Sequence, residues 1–329
     1  MNPIVDAMIS LRDIKDARED LARFVECTPL APSSFLSSLG NCTVNLKLEN
    51  LQITNSFKIR GAFNRLLHLS VEEKGGIITA SAGNHGQAVA YAARKLGFFA
   101  RIVVPETTPQ VKIDGIKRYG ADLVLFGDTY DEAEAKAKEL ARKDGCAYIS
   151  PYDDELIVAG HGTIGLEIME ALPNVDVVLV PVGGGGLISG ICIAMKSLKP
   201  NVQIVGVQSE ASPVMYESLK AGRIVAARKA ETIAEGLSGG IERGSITFKI
   251  AQKHVDEMCL VAEKTIRHAV YLLWTHEKQV VEGSGAAAVA PIVEDRAKFA
   301  GKTVAAVITG GNIDAALFQS ILASEQSYM

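Results

Sequence analysis

The sequence is 329 residues long, with 34 Lys and Arg against 38 Asp and Glu, a formal net charge of −4 and 48% apolar residues. This composition supports a folded core and excludes a disordered, collagen-like or coiled-coil chain, and the length suggests about two domains. A small negative charge without a run of basic residues does not attract a phosphate backbone, so nucleic acid is not expected as a partner.

The five cysteines stand singly, without a CxxC pair and without histidines at zinc-ligand spacing. Neither a disulfide framework nor a structural metal is therefore predicted, and a reducing, cytoplasmic location fits best. The stretch from Met1 to Leu21 mixes acids and bases and lacks the apolar run of a signal peptide. The uncharged stretch from Val177 to Met195 is cut by a proline and four glycines, so it is interpreted as strand, loop and helix, not as a membrane span.

Helical and strand patterns alternate along most of the chain, which is typical of a mostly parallel sheet covered by helices. A helical pattern comes first, at about residues 10–26, and the sequence does not assign it to either lobe. In the first half, strands are predicted at 77–80, 100–104, 121–126 and 148–150, with helices at 85–96, 109–119 and 130–143. We interpret these as one α/β lobe.

The second half of the chain predicts a further lobe. Its strands are expected at 175–182, 202–207 and 304–309, and its helices include 187–197 and 264–276. The segment 151–162, which holds a proline, two aspartates and two glycines, is predicted to be the crossing between the lobes.

A run of four glycines, Gly183 to Gly186, joins the strand pattern ending at Val182 to the helix pattern beginning at Leu187. Because no Cβ atoms obstruct it, such a loop can converge its backbone N–H groups on a phosphate, and the helix N-terminus adds about 0.3 to 1 kcal/mol. A flexible turn is the alternative, but four glycines cost backbone entropy that a plain turn does not require. The pattern matches neither the Rossmann nor the P-loop fingerprint, which argues against a dinucleotide or ATP.

Lys58 stands in the segment NSFKIRG, at the predicted start of a helix that runs to about residue 68. A solvated surface lysine is the alternative, because most lysines are surface groups. The apolar neighbours Phe57 and Ile59 favour a desolvated lysine, whose pKa is lowered and whose amine can form a Schiff base.

Four motifs in this order resemble those of the pyridoxal-phosphate enzymes of fold type II: NSFKIRGA at 55–62, SAGNHGQ at 81–87, the four glycines, and ITGGNID at 308–314. The sequence is most similar to the threonine/serine dehydratase group, which includes serine racemase, and the resemblance extends from Thr28 to Asp314. It implies an α/β fold with two open, twisted, mostly parallel sheets covered by helices. It also implies a large phosphate-binding domain of residues 1–46 and 153–329 and a small substrate-loop domain of residues 47–152.

The resemblance assigns roles to individual residues. Lys58 matches the lysine that carries pyridoxal phosphate and removes the α-proton of the substrate, Asn84 matches the partner of the cofactor's phenolic oxygen, and Thr309 matches the hydroxyl that faces its pyridine nitrogen. The other cofactor-binding residues implied are Phe57 against the ring, Gly183, Gly184, Gly185, Gly186 and Leu187 around the phosphate, and Gly236 and Glu282 close to the ring. The substrate carboxylate is expected on the backbone of Ser81, Ala82, Gly83, Asn84 and His85.

The activity that the resemblance implies is dehydration and deamination of a 3-hydroxy amino acid, L-threonine or L-serine, to 2-oxobutyrate or pyruvate and ammonia. Pyridoxal phosphate supplies the electron sink, so the protein must supply orientation, a base and a controlled ring nitrogen. A hydroxyl at position 309 leaves that nitrogen largely unprotonated and favours elimination over transamination. Because the sequence ends soon after the last motif, we expect no C-terminal regulatory domain, as in a catabolic enzyme.

Three positions depart from the pattern of the group. Many relatives have serine where this sequence has Thr309, which keeps the hydroxyl. His161 stands where the group usually has glutamine, and a buried structural histidine is the favoured interpretation. Glu210 fits the place of a divalent-cation ligand in some relatives, but the second acid that they use is missing, so no metal is predicted.

The substrate loop bears on the alternatives. Cysteine-synthase-type enzymes usually carry TSGNT there, so His85 argues against them, and the intact Lys58 argues against a binding protein without activity. Serine racemases carry SSGN, whereas Ala82 has no proton to return to the second face of the substrate, so little racemisation is expected. A bulkier substrate, such as 3-phenylserine or 3-hydroxyaspartate, stays open. The resemblance suggests a homodimer or tetramer, and no membrane partner is expected.

Overall fold

The computed structural model describes residues 9–70, 75–228 and 230–326 of the chain. The outermost residues of the predicted large domain, 1–8 and 327–329, lie outside these ranges. The helices are α1 Leu11–Leu21, α2 Ser34–Gly40, α3 Lys58–Leu67, α4 Asn84–Leu96, α5 Gln110–Lys117, α6 Tyr130–Asp144, α7 Glu155–Ala171, α8 Gly186–Leu198, α9 Val214–Ala221, α10 Ile246–His254, α11 Glu263–Glu277, α12 Gly283–Ala286, α13 Ala290–Glu294 and α14 Ala315–Gln326. The strands are β1 Leu30–Ser33, β2 Thr43–Leu48, β3 Ile77–Ala80, β4 Ala100–Val104, β5 Asp122–Leu125, β6 Ala147–Tyr148, β7 Val177–Pro181, β8 Gln203–Ser209, β9 Glu257–Val261 and β10 Thr303–Ile308.

The strands described form two sheets. The larger has the order β1-β2-β10-β7-β8-β9, in which β1 and β2 are antiparallel and every other pair is parallel. The smaller has the order β5-β4-β3-β6 and is parallel throughout. Helices connect the parallel strands and cover the sheets, which is why β3 and β7 are buried along their whole length. The prediction of two mostly parallel sheets in an α/β fold is confirmed.

Most of the predicted elements are present, with ends that differ by a few residues. The strands β3 and β4 have the predicted bounds, and the helix that begins at Lys58 ends at Leu67. The segment 151–162, predicted as the crossing between the lobes, is irregular only up to Asp154, because α7 begins at Glu155. The Asp154 side chain caps that helix by accepting hydrogen bonds from the N–H groups of Leu156 and Ile157 at 2.8 and 3.0 Å.

The glycines of α7 serve close helix packing, which explains why they do not end the helix. A Cβ atom on Gly160 would lie 2.6 Å from the carbonyl oxygen of Arg60 on α3, and one on Gly190 of α8 would lie 2.4 Å from the carbonyl oxygen of Val158. The helices α3, α7 and α8 therefore pack backbone against backbone. The N-terminal helix α1 packs on the same group through its buried residues Ile14, Ala17 and Leu21.

A buried ionic cluster anchors α3, the helix that begins with Lys58. The Arg60 guanidinium, 1% exposed, donates hydrogen bonds to Glu49 at 2.8 Å and to Glu167 of α7 at 2.6 and 2.9 Å. The Lys47 ammonium from β2 reaches Glu167 at 2.5 Å. Each charge has an opposite partner, as burial of charge requires, so α3 is tied to both the large sheet and α7.

The smaller sheet lies within residues 77–148 of the sequence, inside the predicted small domain. The predicted boundary after residue 46 falls inside β2, which ends at Leu48 and belongs to the larger sheet. The division of the chain into residues 47–152 and the remainder stays a prediction. In the part of the chain that the structure describes, no helix is long and apolar enough to cross a membrane.

Candidate active site

The candidate site lies where the carboxyl ends of parallel strands meet the starts of helices, which is the usual place for ligands in open α/β sheets. The backbone of residues 55–57 is held against the end of β10 by three contacts. The Phe57 N–H donates to the carbonyl of Thr309 at 3.1 Å, the Gly311 N–H donates to Asn55 at 2.9 Å, and Ser56 forms a bridge with Gly310. The start of α3 is therefore fixed directly beside Thr309.

Lys58 is the first residue of α3 and is only partly exposed. Its ammonium donates a hydrogen bond to the carbonyl of Pro151 at 2.7 Å and lies 5.2 Å from the centre of the Phe57 ring. Burial lowers the pKa of Lys58 from 10.5 to about 8, because removal from water disfavours the charged form. A larger share of this amine is therefore uncharged near neutral pH than in a surface lysine.

The four glycines form a cradle at the start of α8. Gly185 has a φ of +91°, and a Cβ atom on Gly183 would lie 2.9 Å from the carbonyl oxygen of Gly236. On the other side, a Cβ atom on Gly184 would lie 2.4 Å from the ring of Tyr152. Within the described ranges, the N–H groups of residues 183–187 donate to no protein acceptor. Unpaired donors at a helix N-terminus fit a phosphate, and Leu187, on the first turn, is buried beneath them.

Asn84 is held in one orientation by a chain of polar side chains. Its amide Nδ2 donates to the Glu282 carboxyl at 2.7 Å, and its Oδ1 accepts from Asn312 at 2.8 Å. Burial raises the pKa of Glu282 to about 7, although the bond from Asn84 opposes this rise. Since Nδ2 carries two hydrogens, Asn84 can still donate one bond to a ligand.

The predicted substrate loop joins β3 to α4. The Ser81 hydroxyl accepts from the Gly83 N–H at 3.2 Å, and a Cβ atom on Gly83 would meet nothing within 4 Å. Ala82 packs with its methyl group against the core of the smaller lobe. The His85 side chain is buried, with Nε2 3.3 Å from the carbonyl of Ile149, so this residue presents its backbone and not its ring to the loop.

The remaining predicted residues surround the same space. The Thr309 side chain is buried at the end of β10. Gly236 lies beside Gly183 and donates its N–H to the Ser284 hydroxyl at 2.9 Å. The structure therefore brings the loops after β3, β7 and β10 to one place, together with Lys58 and Glu282.

Several residues of the site were not predicted from the sequence. Tyr152 covers the glycine cradle, and its hydroxyl accepts from the Glu242 N–H at 3.0 Å. The Thr247 hydroxyl donates to the carbonyl of Gly184 at 2.6 Å and so holds the cradle from α10. The carbonyl of Pro151 and the amide of Asn312 complete the set. Only Asn312 had a signal, because it belongs to the ITGGNID motif.

Comparison with known proteins gives a consistent picture. A family model described as pyridoxal-phosphate dependent enzyme matches residues 21–310. The chain is 46% identical over 316 residues to an L-threonine ammonia-lyase of Thermotoga maritima, which covers 96% of this chain and 78% of that protein.

The fold is similar to solved structures of related activity. The processed form of threonine deaminase isoform 2 from Solanum lycopersicum matches with a TM-score of 0.90 and 38% identity, covering 96% of this chain and 87% of that one. Maize serine racemase matches with a TM-score of 0.90 and 30% identity, covering 98% and 99% of the two chains.

Proposed function

The chain belongs to the pyridoxal-phosphate-dependent enzymes, and on that premise we propose that it dehydrates and deaminates L-threonine, L-serine or both to a 2-oxo acid and ammonia. The observation that carries the proposal is the position of the partly buried Lys58 amine. It donates to the carbonyl of Pro151, next to the Tyr152 ring that covers the glycine cradle, and its helix starts beside the end of β10, where the Asn84–Glu282 pair lies. The similarity to a bacterial L-threonine ammonia-lyase over nearly the whole chain supports it.

The residues of the site fit pyridoxal phosphate. The unpaired N–H groups of residues 183–187 would hold the phosphate, the Asn84 amide would donate to the phenolic oxygen, and Thr309 would face the ring nitrogen. Phe57, Gly236 and Glu282 would lie around the ring. When bound, the cofactor supplies the electron sink that acidifies the α-proton of an amino acid.

Lys58 is proposed to be both the anchor and the base. A pKa of about 8 leaves roughly one amine in four uncharged at about pH 7.5, against about one in a thousand for an ordinary lysine. Only the uncharged amine can accept the α-proton. The hydrogen bond to the Pro151 carbonyl directs the amine while leaving its lone pair available.

The start of α4 is proposed to bind the substrate carboxylate. The loop Ser81 to His85 precedes a helix of 13 residues, whose first N–H groups and macrodipole attract an anion. The open space over Gly83 leaves room for the carboxylate to approach the backbone.

Thr309 and Glu282 are proposed to select elimination. The Thr309 hydroxyl has no charge with which to stabilise a protonated ring nitrogen, so it would leave that nitrogen largely unprotonated and favour elimination over transamination. The Glu282 carboxyl, with its pKa near 7, holds Asn84 through Nδ2 whether or not it is ionised. Racemisation, the activity of the maize relative, needs an acid on the second face, and Ala82 has none to offer.

We propose a homodimer or tetramer in the cytoplasm, with residues 47–152 as the small lobe that carries the substrate loop. Light scattering of the purified protein tests the oligomer.

The proposed activity is tested with a panel of 3-hydroxy amino acids: L-threonine, L-serine, 3-phenylserine and 3-hydroxyaspartate. The holoenzyme should release 2-oxo acid and ammonia in equal amounts from threonine or serine. Turnover of only the bulkier substrates would move the assignment to them, and absence of ammonia from the whole panel would contradict it.

A further inference from the structure

A glycine-rich segment before α10, residues 235–244, lies next to the glycine cradle, and we call it the strap. It has four glycines in ten residues and, after one turn of 3₁₀-helix at Glu235–Leu237, it has no regular structure. The Leu237 and Ile241 side chains are buried, whereas a Cβ atom on any of the last three glycines would meet no described atom within 4 Å. The strap is therefore anchored in the core at two points and loosely packed around its glycines.

The strap touches both walls of the cradle. On one side, a Cβ atom on Gly183 would lie 2.9 Å from the carbonyl oxygen of Gly236, so the two backbones are in direct contact. On the other side, the Glu242 N–H donates at 3.0 Å to the hydroxyl of Tyr152, whose ring lies against Gly184. A shift of the strap would therefore move both walls.

Two lysines from helices of the smaller sheet bind the strap near its two ends. Lys112 of α5 forms an ion pair with Glu235, and Lys138 of α6 forms one with Glu242 at 3.2 Å. Each lysine side chain is 34% exposed. The first pair lies close enough to the site to act on Glu282, whose pKa is raised mainly by removal from water, raised further by Glu235 and lowered by Lys112. Two separate helices thus converge on one short segment.

We propose that Lys112 and Lys138 are positioning residues, which hold the strap, and through it the cradle, in the form that binds a phosphate group. Each ammonium lies against a carboxylate of the strap, so it acts through the strap and not as a ligand of the phosphate. The role rests on the proposed placement of the cofactor phosphate at residues 183–187. Because ion pairs with this exposure are weak, loss of one pair should weaken phosphate binding by about twofold to fivefold.

The probe is inorganic phosphate, and the protein is the cofactor-free chain. The thermal unfolding midpoint is measured over a phosphate titration at constant ionic strength, which gives the Kd for phosphate in each variant. The measurement needs neither cofactor nor substrate, so it is independent of the reaction that the enzyme catalyses.

Charge reversal separates the ion pair from the general field of the protein. Lys138→Glu and Glu242→Lys change the net charge by two units in opposite directions, but both break the pair. If the pair holds the strap, both variants should bind phosphate more weakly than the wild type. If only the field at the cradle mattered, Glu242→Lys would bind phosphate more tightly. The double variant Lys138→Glu/Glu242→Lys restores the pair, so its Kd should return to within about twofold of the wild type.

The other pair repeats the test with Lys112→Glu, Glu235→Lys and their double variant. The matched control is Lys298→Glu, which makes the same change in net charge. It breaks the pair of Lys298 with Glu257 of β9, at 2.6 Å and 28% exposure of the lysine, two strands away from β7 and its cradle. The Kd for phosphate should not change in this control.

Tighter binding in Glu242→Lys, or a double variant that binds as weakly as the single ones, would overturn the positioning role. If phosphate does not shift the midpoint of the wild type either, the cradle itself is wrongly assigned and the role falls with it, so the two failures are distinguishable. If a charge reversal does not fold, as judged by its midpoint without phosphate, Lys138→Met and Glu242→Gln replace the reversals. Both should weaken phosphate binding, and an unchanged Kd in both would contradict the proposal.

Discussion

Glu282 makes the stability of the cofactor-free protein depend on pH in a direction that can be worked out from the structure. The carboxyl is partly buried next to Asn84, and its removal from water raises its pKa from 4.5 to about 7. Because the folded-state pKa lies above the unfolded one, the folded protein binds more protons between these two values. Stability is therefore lost as the pH rises from about 4.5 to about 7.

The size of the effect follows from the shift. Each unit of pKa shift corresponds to about 1.36 kcal/mol, so ionising this carboxyl in the folded protein lowers the free energy of unfolding by about 3 kcal/mol. About 2 to 3 kcal/mol of that free energy is lost between about pH 5 and about pH 8. Glu282→Gln cannot ionise, and its amide oxygen can still accept the bond from Asn84. The variant should therefore lack this part of the pH dependence.

Urea unfolding of the cofactor-free protein at about pH 5 and about pH 8 measures the difference, with the exposed Glu19→Gln as the control. The wild type and Glu19→Gln should lose about 2 to 3 kcal/mol more than Glu282→Gln over this interval. Equal losses in Glu282→Gln and the wild type would refute the reasoning that burial keeps this carboxyl protonated.

Three further predictions concern the cradle and the substrate loop. Inorganic phosphate should raise the thermal unfolding midpoint of the cofactor-free protein, because residues 183–187 offer unpaired N–H donors, and chloride at equal ionic strength should not. Equal midpoints in the two salts would argue against an anion site. Gly83→Ala should leave the thermal unfolding midpoint unchanged, since its Cβ atom would have no other atom within 4 Å, but it should raise the KM for the amino acid several-fold by narrowing the carboxylate site. An unchanged KM would mean that the carboxylate binds elsewhere. With L-serine, chiral chromatography should show pyruvate and little D-serine, because Ala82 lacks a proton donor, and Ala82→Ser should raise the rate of racemisation. D-serine formed as fast as pyruvate by the wild type would contradict this role of Ala82.

The sequence predicted the fold and the list of candidate residues where local patterns carry the information. Short apolar runs at 77–80 and 100–104 are strands with those bounds, and the glycine run does lie between a strand and a helix. The sequence did not show that the glycines at 160 and 162 lie inside a helix, because a glycine that opens a turn and one that admits a neighbouring helix look the same in sequence. Only the contact of Gly160 with the Arg60 backbone distinguishes them.

The parts of the site that the sequence could not predict depend on contacts between distant residues. The Lys58 bond to Pro151 spans 93 positions, and the bond of Asn84 to Glu282 spans 198. The strand β9 at Glu257–Val261 was missed, because an apolar run as short as Met258 to Val261 does not by itself distinguish a strand from the start of a buried helix. Burial, which lowers the pKa of Lys58 and raises that of Glu282, is likewise a property of the assembled fold.

The central claim is that Lys58 is the residue on which pyridoxal phosphate and the reaction depend. Reduction of the holoenzyme with borohydride followed by peptide mapping tests it most directly, since reduction makes the link between lysine and cofactor permanent. We predict one pyridoxyl group per chain, on the peptide that contains Lys58, and none on that peptide in Lys58→Ala. A pyridoxyl group on another lysine, such as Lys112 of α5, would contradict the account.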